Sequence, residues 1–358
     1  MTSPPPVRAG LIGFGYAGRT FHAPLVQATE GLELSAVVSS DAAKVHAVMP
    51  EIEVLPTPEA LLARGDIDLV IIATPNDSHA PLAHAAIAAG KAVVVDKPFA
   101  LSLDEARGVI AAAEAADVLL AVFHNRRWDG DFLGVADAIA KGRIGRVTHF
   151  ESHFDRFRPL VRDRWREGRG PGAGVWFDLA PHLVDQALCL FGLPDTVSAD
   201  LAALRDGGLT DDWAHAVLAW SDKRALLHAS MLVAGGSARF IVHGTGGSLV
   251  RQALDPQEAQ LVEGMEPGAP GWGLDEDPLV LETPEGRVHE AAPVGDQRRF
   301  YAGVREALRG LAPNPVPPVE ALAVMAVIEA GIASAREGRA MPLALSEAER
   351  VAYAGSRR

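Results

Sequence analysis

The chain has 358 residues, nearly half of them hydrophobic and under a quarter charged, with a formal net charge of −13. That length exceeds one ordinary core and implies about two domains, and the composition is that of a globular chain. The acidic balance excludes nucleic acid as an expected partner, because neutralising phosphates needs a basic stripe.

Cys189 is the only cysteine, so an intrachain disulfide is excluded and nothing calls for an oxidising compartment. No basic segment followed by an apolar one opens the chain, and no run reaches about 18 uncharged apolar residues. Neither a secretory leader nor a membrane span is therefore expected, and the cytoplasm is the expected location.

In chain order, Val7 to Ile12 is a short apolar run that breaks into Gly13, Gly15 and Gly18, and helical periodicity begins at Arg19. This is G-x-G-x-x-G between a strand and a helix, the setting in which it cradles a dinucleotide pyrophosphate. An ordinary glycine-rich turn satisfies the same pattern. Leu32 to Ser39 reads as a strand, Ala42 to Met49 as a helix, and Asp68 to Ala73 as a buried strand ending in Thr74-Pro75-Asn76. Ligands of open parallel sheets lie outside the carboxyl ends of strands, so these three residues line the expected groove. Asn76 also suits a helix N-cap.

A helix from His79 to Ala89 follows, then a strand ending in Asp96-Lys97-Pro98, a helix over Ser102 to Ala116, and a strand over Val118 to Phe123. Alternation of this length means βαβ units and a parallel sheet. A lysine on extended backbone before proline, at that sheet edge, can donate to a substrate hydroxyl. A surface Asp/Lys pair is the plainer alternative.

From Gly145 the runs alternate and follow one another through short turns, predicting a mostly antiparallel sheet with one helix inserted from Val175 to Phe191. The Arg-rich stretch from Arg156 to Arg169 interleaves acids, so it suits either a salt-bridged surface or a polar ligand. Gly170 to Gly174 form a glycine-rich loop before that helix, and Asp178 and His182 stand at i and i+4, on one face. An Asp–His pair suits a general base. A structural pair fits too, and so does a zinc site lacking a third ligand. Residues 255–293 read as a long excursion, and two helices, Arg298 to Arg309 and Val319 to Arg336, close the pattern.

Together these motifs resemble the Gfo/Idh/MocA oxidoreductases, whose pattern is a glycine turn, T-P-N, E-K-P and a D-x-x-x-H helix after a glycine loop. Asp96 stands where that family usually has glutamate. His124 to Asp129 (H-N-R-R-W-D), H-F-D-R-F-R-P and R-D-R-W-R-E resemble the NADP-dependent scyllo-inositol dehydrogenases within it. The resemblance implies a Rossmann domain over 1–124, and a C-terminal α/β domain with an open-faced sheet over 125–358, its last helices packing back toward the first domain. It implies Lys97, Asp178 and His182 as the catalytic set, acting on a polyol or sugar. Gly13, Phe14, Gly15, Tyr16, Ala17 and Gly18, with Thr74, Pro75, Asn76, His79, Asp96 and Lys97, become the cofactor residues. Asn125, Asp155 and Arg156 are the candidates for the substrate wall. It also points to a homodimer or homotetramer built through the C-terminal sheet, where Leu218, Leu227 and Ile241 need cover. An aldose, dihydrodiol or imine is the alternative substrate, and a non-catalytic dinucleotide sensor is the alternative class.

The second strand ends in Ser39-Ser40-Asp41, with Lys44 a turn later. Two hydroxyls and an ammonium suit the 2′-phosphate of NADP, whereas an NAD site places a carboxylate there. NADP is expected. The opposing reading makes Asp41 the ribose acceptor of NAD and Ser40 the helix cap.

Overall fold

The computed structural model describes residues 4–357. The first stretch runs β1 (Val7–Ile12), α1 (Ala23–Gln27), β2 (Leu32–Val38), α2 (Ala42–His46), β3 (Glu53–Leu55), α3 (Pro58–Leu62), β4 (Leu69–Ile72), α4 (His79–Ala88), β5 (Ala92–Val95), α5 (Leu103–Ala116) and β6 (Leu120–Val122). The chain continues through α6 (Gly130–Ala140), β7 (Val147–Asp155), α7 (Val175–Phe191), β8 (Thr196–Ala202), β9 (Trp213–Ala219), β10 (Arg224–Ser230), β11 (Phe240–Gly244) and β12 (Gly247–Arg251). It ends with α8 (Gln257–Val262), β13 (Pro278–Thr283), β14 (Gly286–Ala291), α9 (Arg298–Leu308), α10 (Pro318–Glu337) and α11 (Glu347–Ser356).

The first compact unit holds the chain up to Asn125 together with residues 257–272 and 296–321. Its six strands are all parallel, in the order β3-β2-β1-β4-β5-β6. Every residue of β4 and β5 is buried, as strands covered on both faces must be. Strand order reverses between β1 and β4, and the carboxyl ends of those strands open the crevice where such sheets take ligands. A domain running unbroken from 125 to the end is thereby corrected, because α8 and α9 belong to this unit. The reason is aromatic packing that sequence texture does not display. Phe300 of α9 meets Phe123 edge-on at 5.0 Å between centroids, and Phe300, Tyr301 and Val304 are fully buried.

The second unit holds residues 126–256, 273–295 and 322 onward. Its eight strands run β14-β13-β12-β11-β7-β10-β9-β8, antiparallel except where β7 meets β10. The Pro-, Gly- and Glu-rich excursion is corrected here, since it contains α8, strand β13 and the edge strand β14. An edge strand with one solvated side does not need an apolar run, and five of the six residues of β14 are exposed.

Helix α7 packs against β7, β9 and β10. Trp176 on α7 is buried, its indole N–H donates to the Ile328 carbonyl at 3.0 Å, and a side chain at Gly331 would fall 2.4 Å from its ring. Leu218 and Leu227 are fully buried within this unit, so the expectation that they need an outside cover is corrected. Strand parity decides it, since Ala214, Ala216 and Leu218 alternate with the half-buried Trp213, His215 and Val217. The outward face carries Trp213, Val217 and Ile241 among His149, His153, His215, His228 and His243. Helix α10 is long and apolar enough by composition to cross a bilayer, but 61% of its most apolar window is buried inside the structure, as in a core helix.

The arginine-rich loop before α7 closes on Glu167. Its carboxylate accepts from the Arg162 Nε at 3.0 Å, the Arg164 Nε at 2.6 Å and an Arg205 Nη at 3.0 Å, and Arg205 also donates to Asp212. Burial pushes the Glu167 carboxyl up, but these donors outweigh it and hold it at about 2. A carboxyl lowered on folding contributes stability above its unfolded value of roughly 4.3 and loses that share as pH falls through the folded value. Glu167→Gln should therefore be less stable than the parent near neutrality, with the gap narrowing as pH falls from about 4.3 towards 2. Urea denaturation across that range checks this, and a gap independent of pH would contradict it.

Candidate functional site

In the first unit, a groove of about 850 Å³ opens at the carboxyl ends of β1, β2 and β4. Three glycines shape it differently. Gly13 has φ +99°, and a side chain there would strike the Ala73 carbonyl. A Cβ at Gly18 would lie 2.1 Å from the Gly13 carbonyl oxygen, so strand and following turn can approach only because position 18 is bare. A Cβ at Gly15 meets nothing within 4 Å, which leaves the open backbone a pyrophosphate needs. A dinucleotide fits this cradle.

Gly13, Phe14 and Gly15 line the groove, as do Ser39, Ser40, Asp41 and Lys44 from the β2 end, and Thr74 and Pro75 from the β4 end. Pro58, Asp77, Ser78, Pro81 and Leu82 also line it, and sequence spacing gave no sign of them. At the β2 end the Asp41 carboxylate caps α2, accepting from the Lys44 backbone N–H at 3.0 Å. Ser39 Oγ accepts from the Asp41 N–H at 3.1 Å. The capping role suggested for Ser40 therefore belongs to Asp41, and the exposed Ser40 and Lys44 side chains sit at the groove edge.

The remaining expected cofactor residues, Tyr16, Ala17, Gly18, Asn76, His79, Asp96 and Lys97, stand outside the groove walls. Tyr16 is half exposed and its hydroxyl donates to Glu258 at 3.0 Å. Asn76 is buried inside a short 3₁₀ turn, 76–78, whose capping position is Pro75. Both ring nitrogens of the buried His79 lie at carbonyl oxygens, Pro98 at 2.8 Å and Thr74 at 2.9 Å. This ties the β4 and β5 ends together and makes His79 a brace.

Asp96 is buried, and its Oδ1 accepts the backbone N–H of Lys97 at 2.9 Å. Burial pushes its carboxyl up, yet His22, Lys97 and His79 together hold it at about 2, so it is ionised across the working range. The Lys97–Pro98 peptide is cis. Asn125 is buried, with its amide donating to Gln297 at 2.8 Å.

In the second unit, Gly174 has φ +98°, and a side chain there would run into Asp211. That contact has a use. The Asp211 carboxylate accepts the Trp176 N–H at 2.7 Å and its carbonyl accepts the Val175 N–H at 2.9 Å, closing the open end of α7. One turn in lie Asp178 and, a turn further, the buried His182. Arg166 Nε approaches Asp178 Oδ1 at 3.4 Å. The His182 ring stacks on Phe154 at 6.2 Å, and the guanidiniums of Arg126 and Arg156 lie over the same ring at 4.8 and 5.2 Å. Phe154, Arg126 and Arg166 were not singled out by spacing.

Arg156 thus shares a neighbourhood with His182. Asp155 does not, and its place on the substrate wall is corrected. Alternation along β7 turns Asp155 to the outward face, 3.6 Å from His153 and 3.6 Å from His228, while Phe154 points inward. Among the described residues no group of three His, Cys, Asp or Glu gathers as a metal ion would require.

Two family models match the chain. Residues 7–124 match an oxidoreductase family described by its NAD-binding Rossmann fold, and residues 136–345 match the C-terminal α/β domain of the same family. The chain belongs to the Gfo/Idh/MocA oxidoreductases. It is 51% identical to the uncharacterized oxidoreductase YdgJ of Escherichia coli, over 94% of this chain and 99% of that one. It is 33% identical to the NADP-dependent scyllo-inositol 2-dehydrogenase IolW of Bacillus subtilis, over 94% and 96%. A crystal structure of a provisionally assigned oxidoreductase from Klebsiella pneumoniae superposes with a TM-score of 0.93 at 51% identity, covering 98% of this chain and 99% of that one.

The glycines make separable predictions. Gly18→Ala should lower stability by about 1–3 kcal/mol, the usual cost of forcing atoms into a packed site. Gly15→Ala should leave the melting temperature near the parent's and weaken dinucleotide binding on the order of tenfold, about 1.4 kcal/mol. Thermal melts and cofactor titration check both, and an unchanged affinity in Gly15→Ala would remove Gly15 from the cradle.

Proposed function

We propose that this protein is an NADP-dependent dehydrogenase that oxidises a hydroxyl of a polyol or sugar, with a cyclitol such as scyllo-inositol as the leading substrate, and reduces the ketone in reverse. The observation that carries this is the joint presence of Lys97, Asp178 and His182, each on firmly anchored backbone, in a chain with a dinucleotide cradle. A dinucleotide sensor needs no proton-transfer set.

Bound nicotinamide supplies the hydride acceptor. Gly13, Phe14 and Gly15 hold the pyrophosphate side, and Ser39, Ser40 and Lys44 receive the 2′-phosphate, with Asp41 occupied in capping α2. His182 takes the hydroxyl proton, Asp178 favours the imidazolium that forms, and Lys97 donates to the reacting oxygen as it gains charge. Arg156 and Asn125 are proposed for the substrate's other hydroxyls. The relative IolW, named as an NADP-dependent scyllo-inositol dehydrogenase, supports both cofactor and substrate class.

The same reading makes the protein a homodimer or homotetramer through the outward face of the eight-stranded sheet, where Trp213, Val217 and Ile241 want cover. The composition, with its single cysteine, suits the cytoplasm.

Lys97→Met should cut turnover by about 100- to 10,000-fold with cofactor affinity retained, the range for acid–base and hydrogen-bonding groups. Near-parental turnover in that variant would overturn the assignment. Specificity constants with one polyol should favour NADP over NAD, and Ser39→Asp should move the preference towards NAD. A parent that prefers NAD would overturn the cofactor reading.

A further inference from the structure

The five-residue π turn, Gly18–His22, follows the glycine cradle directly and carries His22 inward until no part of it is exposed. π turns are rare and cluster at functional sites. Burying an imidazole costs free energy unless its nitrogens are answered; here one is answered by a hydrogen bond and the other only by the charge of a nearby carboxylate. Its Nδ1 lies 2.5 Å from the Tyr301 hydroxyl on α9, and its Nε2 faces Asp96 Oδ1 at 3.6 Å with no other partner among the described residues. Where the ring carries a single proton on Nε2, toward Asp96, Nδ1 accepts from the Tyr301 hydroxyl. Burial and the Asp96 charge raise the Tyr301 pKa well above the ordinary value, which keeps that donor protonated. The chain ends where Asp96 Oδ1 accepts the N–H of Lys97.

We propose that Tyr301, His22 and Asp96 form one buried chain that positions Lys97 for proton and hydrogen-bond transfer, with His22 and Tyr301 as positioning residues. This rests on the reading of Lys97 as catalytic. Phe123, 4.2 Å from the His22 ring, and Phe300 wall the chain off from water. In so dry a place Asp96 acts on the neighbouring ammonium far more strongly than a surface carboxylate would. Packing alone has no use for the arrangement. A phenylalanine at 301 and an apolar residue at 22 would fill the same space without three titratable groups to desolvate. The charged and titratable groups facing the chain are Lys97 and His79 beside Asp96.

The test measures kcat, substrate KM, NADP affinity and melting temperature for Tyr301→Phe, His22→Asn, Asp96→Asn and Asp96→Glu. Tyr301→Phe keeps the ring and removes only the hydroxyl, so it serves even where His22→Asn folds poorly. We expect Tyr301→Phe and His22→Asn to lower kcat about ten- to a hundredfold, below the effect of a direct acid–base group, with KM and NADP affinity within about twofold. Asp96→Asn should lose as much or more, and Asp96→Glu should recover most of it. Parental kcat in Tyr301→Phe, or losses that track the melting temperature or NADP affinity, would overturn the chain. Lys97→Met separates the two ideas. If it keeps turnover, the reading of Lys97 falls and the chain with it, whereas a dead Lys97→Met beside an unimpaired Tyr301→Phe refutes the chain alone.

Discussion

A hydrogen in place of a side chain at position 18 is the constraint on which the first unit depends. A Cβ there would press to 2.1 Å from the Gly13 carbonyl oxygen, forcing the turn away from β1. Because it is absent, the π turn lies close against the strand end and delivers His22 to the level of Asp96 and Phe123. The same approach leaves Gly15 bare and the groove open above it. One steric allowance thus shapes the cradle, and it also brings a buried imidazole within 3.6 Å of Asp96, the residue that follows β5.

The second unit solves a similar problem with a different device. The Asp178 and His182 proposed for proton transfer are only as well placed as their helix, and α7 begins with N–H groups that have no partner inside it. Asp211 supplies those partners from outside, and Gly174 gives it room. Burial pushes the Asp211 carboxyl up, so this cap carries a cost, which a helix bearing Asp178 and His182 gives reason to retain. Trp176 then fixes the rotation of α7 by donating to the Ile328 carbonyl.

The sequence showed most where local and tertiary demands agree. The bounds of α7, Val175 to Phe191, are the residues read from periodicity, because Gly174 and Gly192 with positive φ punctuate both ends. The parallel sheet was legible for a similar reason, since buried strands must be continuously apolar. Other features were decided at long range. Period-two alternation places Leu218 and Val217 on opposite faces but does not say which face α7 covers. Asp155 sat beside plausible site residues in sequence and turned to the other side of the sheet for the same reason. His79 and Tyr301 were out of reach, because their roles depend on carbonyls and side chains 19 and 279 residues away. Strand β14 hid in a composition that marks loops, because an edge strand tolerates it.

Both family models and the glycine cradle make the chain a Gfo/Idh/MocA oxidoreductase with a dinucleotide-binding Rossmann domain. Turnover of a polyol with NADP is the activity proposed for this chain. It is tested most directly by following reduced-nicotinamide absorbance as the protein meets NADP and a panel of cyclitols, alditols and aldoses. Reduction of NADP, fastest with a cyclitol, is the expected result. Binding of NADP without reduction by any member of the panel, in either direction of the reaction, would contradict it.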